Sequence, residues 1–201
     1  MRKHAVNIMI YTNRPPHIYL NNTIYFVTSR TIDGQKHFNN DEKKTFLSNC
    51  IKEAKKRTKF LISGYVILDN HYHLILKTCK GKNLSKFFYY VHANSSRLVN
   101  ELDKIKGRKI WWNYWEKIIR DKVNYYRHLN YLHNNPIKHG QIKHFDQLKD
   151  YKWSSWIYYL ERYGIDYLTF LRMRCLPVVE LHEVLTTGKY GWRLAEVRSK
   201  P

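Results

Sequence analysis

Two histidines one residue apart, His71 and His73 in the stretch GYVILDNHYHLILKT, are the pair in this sequence best spaced to share one chemical task. Tyr65 to Leu68 and Leu74 to Leu76 are apolar runs on either side of the turn residues Asp69 and Asn70, the pattern of a β-hairpin. Side chains alternate faces along a strand, so both imidazoles project from the same side of the sheet. Two neutral imidazoles side by side form half of a metal site. Leu74 to Thr78 supply no Asp, Glu or further His, so the remaining ligands must come from elsewhere in the chain. A second pair answers that need: Tyr131 and Asn135 are four residues apart in VNYYRHLNYLHNNPIKHG and share one face of a helix if its last turn reaches Asn135. A phenol and an amide oxygen could then both point at the histidines.

The elements that must position these groups are legible in order. Thr23–Arg30 alternates as a first strand and ends at the turn Asp33-Gly34. Asn40 and Asp41 offer N-caps to a helix running to about Thr58, with Phe46, Leu47, Cys50, Ile51 and Ala54 along one side. After the hairpin, Asn83 to about Ile105 reads as a second long helix, and Lys106-Gly107-Arg108 breaks it. Ile110–Ile119 reads as a last strand, whose Trp111, Trp112 and Trp115 are expected to divide between core and contact surface, where some could stack unpaired bases. A helix from about Lys122 to Asn134 follows, halted before Pro136 and closed by Gly140. Strand, helix, strand, strand, helix, strand predicts an α+β fold: a ferredoxin-like antiparallel sheet with helices on its faces.

Residues 1–13 read as an N-terminal extension, 14–160 as the main domain, and 161–201 as an appended helical segment with helix content around Pro177 to Leu185. The 36 Lys and Arg against 16 Asp and Glu leave a net charge of +20 over the length of the chain, which points to a nucleic-acid partner. There is no apolar run long enough to span a membrane and no basic amphipathic helix with a lipid-facing stripe. The three cysteines, Cys50, Cys79 and Cys175, are widely spaced without a C-x-x-C pair, so neither a disulfide framework nor a zinc ribbon is expected. A reducing cytoplasm is the expected setting.

Three stretches together, RPPHIYLNNTIYFVTSR, GYVILDNHYHLIL and WEKIIRDKVNYYRHLNYLHNNPIKHG followed by YKWSS, resemble the single-tyrosine HUH transposases, in particular the REP-associated tyrosine transposases related to IS200/IS605 enzymes. The resemblance covers about residues 14–156. It implies the HUH endonuclease fold, with His71 and His73 as metal ligands, Asn135 as the third, Tyr131 as nucleophile, and Mg²⁺ or Mn²⁺ as cofactor. It also implies single-stranded DNA bearing REP-like hairpins as partner, cut beside the hairpin foot, and DNA transposition and recombination as the outcome. Lys117 stands where many relatives carry histidine after the acidic residue. The chain length beyond residue 160 has no counterpart in the resemblance.

Such chemistry needs these residue types. Neutral ligands leave a dication its full charge against a phosphodiester, and a phenol of pKa about 10 is ionised in only about one molecule in a thousand at neutral pH without a neighbouring cation. Tyrosine attack would leave a 5′-phosphotyrosine and a free 3′-OH, a reversible transesterification. Tyr126, five residues before Tyr131, is turned away from the Tyr131 and Asn135 face. His128 and Asn124 lie near that face as possible support for the phenol, and Arg120, Arg127, Lys138 and His139 as contacts to DNA backbone. Two other classes remain open at this point: a catalytically silent hairpin-DNA-binding protein, and a metal-dependent nuclease using activated water. Monomer and homodimer are both open as well.

Overall fold

The computed structural model of this protein describes residues 17–173. The expected extension over 1–13, the helix expected around 177–185 and Cys175 lie outside those residues. Four strands, β1 (Ile24–Thr31), β2 (Leu61–Ile67), β3 (His71–Lys77) and β4 (Trp111–Ile118), form one antiparallel sheet in the order β2-β3-β1-β4. This is the ferredoxin-like order expected from the sequence. Helices α1 (Asp41–Thr58), α2 (Leu84–Leu102), α3 (Lys122–Lys138) and α4 (Trp156–Met173) complete it, with α4 interrupted at Gly164, whose φ is +76°. Among the described residues no helix is long and apolar enough to cross a membrane.

Strand parity divides the sheet into two faces. Tyr25, Val27, Tyr72, Leu74 and Leu76 are fully buried. They belong to the face covered by α1 and α2, where Phe88 of α2 stacks on Tyr114 at 4.1 Å and His92 bonds the Tyr72 hydroxyl at 3.0 Å. Each large apolar side chain buried there contributes about 1.5–3 kcal/mol. Helix α1 starts where expected, because the Asn40 side chain accepts from the Lys43 amide at 2.9 Å.

The opposite face carries Phe26, Thr28, His71, His73 and Ile75, and α3 crosses it over β2 and β3. Gly64 of β2 admits this close approach, since a Cβ there would lie 3.1 Å from Cδ1 of Leu129. The YKWSS stretch fixes the helix from behind. Ile67 donates to the Trp153 carbonyl at 2.9 Å, Ser155 donates to the Tyr65 carbonyl at 2.9 Å, and the Ser155 hydroxyl meets Nε2 of His133 at 2.8 Å. Residues 151–155 therefore run along the outer edge of β2 and tie it to α3.

Helix α3 differs from the sequence expectation at its end: it does not stop before Pro136 but includes it and continues to Lys138. Proline removes one N–H, and in the last turn this costs a single helix bond. The turn is closed around it, with His139 donating to Asn135 at 2.9 Å and Gln141 to the Pro136 carbonyl at 2.8 Å. Asn135 therefore keeps helical geometry.

Candidate active site

Strand β3 delivers His71 and His73 to the α3 face, with ring centroids 5.1 Å apart. Helix α3 delivers Asn135, which is fully buried, from above. Nε2 of His71 lies 3.4 Å and Nε2 of His73 lies 3.2 Å from Oδ1 of Asn135. The amide can point only one way, because its Nδ2 donates to the Tyr131 carbonyl at 2.7 Å. Its oxygen is thus committed to the histidines.

Hydrogen bonds with Asn70 and Thr28 fix the rings. Asn70 donates through Nδ2 to the Gly34 carbonyl at 2.9 Å, so its Oδ1 accepts from Nδ1 of His71 at 2.7 Å. The Nε2 of His71 then bears a lone pair facing another acceptor. Nδ1 of His73 is held by the Thr28 hydroxyl at 2.8 Å. Burial, reinforced by the neighbouring His139, pushes the His71 ring down to about 4; burial and the adjacent His71 push His73 down to about 3. Both are neutral at physiological pH. Two imidazole nitrogens and an amide oxygen converging as acceptors suit a divalent cation, and outer partners at Nδ1 are what oriented metal ligands use. Among the described residues no group of three or more His, Cys, Asp or Glu is placed to hold a metal; the third donor here is a carboxamide.

Tyr131 stands beside this cluster in the same chain. Its ring meets His73 edge-on at 5.4 Å and Phe26 at 5.9 Å, and it is 41% exposed, open to a substrate. Lys138 sits over the ring with Nζ 5.0 Å from its centroid. His139 packs edge-on against His71 at 4.6 Å. His128 also reaches the site, tilted on Phe26 at 4.7 Å, with Nδ1 donating to the Asn124 carbonyl at 2.7 Å. Burial lowers the pKa of His128, and Lys117 and Arg127 push it the same way.

Asn124 lies two turns before Tyr131, where its amide is capped by Asp121 at 2.7 Å. Arg120 and Arg127 are exposed on and before α3. Tyr126 and His133 are buried away from the site. Lys117 is exposed and pairs with Phe26, on the site face. The sequence reading missed Thr28, Asn70 and Phe26. Asn70 could have been found as the turn residue next to His71; the other two depend on strand register.

The family model described as Transposase IS200 like matches residues 20–135, more than half of the chain. This chain belongs to the IS200-like transposase family. The match takes in both histidines, Tyr131 and Asn135. Among relatives of this family member, the REP-associated tyrosine transposase of Escherichia coli (strain K12) is 27% identical over 111 residues, 54% of this chain and 62% of the relative. A relative from Haemophilus influenzae is 27% identical over 132 residues, 57% of this chain and 73% of its own. The matched region thus spans less than two thirds of the first of these. A solved REP-associated tyrosine transposase bound to a REP hairpin has the same fold, with a TM-score of 0.61 and 22% identity, covering 74% of this chain and 86% of that one. The resemblance read from the three stretches, and the fold it implied, are both borne out.

Proposed function

We propose that this protein is a metal-dependent transesterase that nicks and rejoins single-stranded DNA beside hairpins through a 5′-phosphotyrosine intermediate. The observation that carries the reading is the convergence of His71, His73 and Asn135 on one point, with Tyr131 packed against His73. The names of the relatives and the hairpin bound by the solved one support REP-like hairpin DNA as substrate. Residues 14–160 are read as the transposase unit, flanked by an extension at 1–13 and an appended segment at 161–201.

His71, His73 and Asn135 would hold Mg²⁺ or Mn²⁺; imidazole ligation favours Mn²⁺. When bound, the cation supplies charge relief to the scissile phosphate and polarises its phosphorus. The chain does the rest. Thr28 and Asn70 keep both imidazoles oriented, while Phe26 and His73 form the wall against which Tyr131 rests. The Tyr131 oxygen attacks phosphorus and gives up its proton; the bond to the 3′ oxygen breaks, and that oxygen leaves protonated as a 3′-OH. Lys138 packs its ammonium over the phenol ring, on the side open to substrate. His128 supports the phenol from the Phe26 side, and Arg120, Arg127, Lys138 and His139 bind backbone phosphates.

Labelled single-stranded hairpin DNA incubated with the protein and Mn²⁺, then run under denaturing conditions, tests this. A covalent adduct that disappears in Tyr131→Phe is the expected result. Free fragments without adduct would mean a water-using nuclease, and intact DNA a binding protein; either overturns the reading. Affinity for the strand should fall with salt, with a log–log slope of about −0.7 per phosphate contacted.

A further inference from the structure

Helix α3 covers the site face over β2 and β3, and the β1 and β4 side of that face carries a tryptophan. His73 of β3 pairs with Thr28 of β1, and Thr28 pairs with Trp115 of β4, so the three side chains lie in one row across the sheet. Two strand spacings put Trp115 about 10 Å from His73. The indole is 39% exposed; Trp112 of β4, at 46%, lies outside the row with His73, and Trp111, Trp153 and Trp156 are 8% exposed or less. The same face offers cations on either side of the row: Lys117, opposite Phe26, and Arg30, opposite His71, both exposed.

An exposed aromatic ring between cations on a sheet face matches what a single strand presents, a π-face joined to phosphates. An apolar protein surface docking there would have to desolvate Lys117 and Arg30 without compensation. We propose that Trp115 is a stacking platform for one base of the single strand whose phosphate reaches His71, His73 and Asn135, with Lys117 and Arg30 holding the neighbouring phosphates. The platform would fix the strand's register relative to Tyr131. This rests on the single-stranded DNA reading above and adds the residue that grips a base.

The test uses the full chain carrying Tyr131→Phe, without metal, so that binding is read without cleavage. Its affinity for a ten-thymidine strand is compared with that for the same backbone made fully abasic, in the presence and absence of Trp115→Ala. The expected result is a loss of about 5- to 100-fold on the thymidine strand and none on the abasic strand, with recovery in Trp115→Tyr. Equal losses on both strands, or no loss on either, overturn the proposal. So does a change in oligomeric state with DNA affinity intact, which would mean a second copy covers the ring. Should Trp115→Ala misfold, 5-iododeoxyuridine in the strand decides with Trp115 in place: photocrosslinking should map to Trp115, and crosslinks only elsewhere overturn the assignment. Failure of the covalent-adduct assay would leave this binding result standing, and the reverse holds too.

Discussion

The side-chain amide of Asn135 donates to the carbonyl of Tyr131 at 2.7 Å, one helical turn earlier, and so turns its oxygen toward both imidazoles. One bond thereby ties the orientation of the proposed third ligand to the backbone of the proposed nucleophile. Asn135→Asp keeps an oxygen for the cation but sets a buried carboxylate against the Tyr131 carbonyl. Metal-free Asn135→Asp should be destabilised by about 1–3 kcal/mol, and Mn²⁺ should restore its melting temperature. Asn135→Leu should show no Mn²⁺ response. Thermal melts with and without the ion check both, and an Asn135→Asp protein indifferent to Mn²⁺ would remove Asn135 from the metal site.

Thr28 touches no substrate in this scheme; it holds Nδ1 of His73 at 2.8 Å. Thr28→Val preserves shape and strand propensity and removes the hydroxyl. Mn²⁺ affinity, read by calorimetry, should fall about 10- to 100-fold with little change in metal-free stability. Unchanged affinity would show that the ring is oriented by packing alone.

Acid should unfold the metal-free protein unusually early. Burial holds both His73 and His133 down at about 3, below the unfolded value near 6.5, and the side chains are 3% and 1% exposed. The unfolded chain takes up protons that the folded one refuses. Their stabilisation is complete above about pH 6.5 and is lost as pH falls toward 3, by up to about 1.4 kcal/mol per pH unit for each ring. From pH 7 to pH 5 this amounts to about 2 kcal/mol per ring. Denaturant titrations at the two pH values measure it; equal stabilities would contradict the burial of uncharged rings.

Gly64 sets the height of α3 above the sheet. A methyl group there would press on Leu129 at 3.1 Å and Ile75 at 3.4 Å, two positions before Tyr131 on the helix. Gly64→Ala should cost about 1–3 kcal/mol of stability as the neighbours give way. Adduct formation in single-turnover assays should slow by at least about 10-fold, since small misplacements weigh heavily on reacting groups, while DNA affinity changes little. A rate equal to that of the unmodified chain would mean that Leu129 yields without moving the helix.

Much of this arrangement could be read from residue order. Period-two alternation alone put His71 and His73 on one side of β3, and a four-residue spacing put Tyr131 and Asn135 on one side of α3. The Asn40 cap and the succession of strands and helices along the chain were equally local inferences. What escaped depended on register between distant segments: Thr28 meets His73 across 45 positions, and nothing in TIYFVTSR marks that hydroxyl as the partner. Pro136 misled because a proline usually ends a helix. Here backbone donors further along satisfy the final carbonyls, and the turn carrying Asn135 persists.

The strand-like course of residues 151–155 along β2 has a consequence for association. Tyr65 and Ile67 spend their outward backbone groups on Trp153 and Ser155, and among the described residues no strand pairs with the outer side of β4. Among the described residues one border of the sheet is sealed by backbone pairing and the other is not. Among the described residues strand addition therefore has one side to start from, and two molecules meeting along β4 would cover each other's open border, closing as a pair instead of propagating into a fibre.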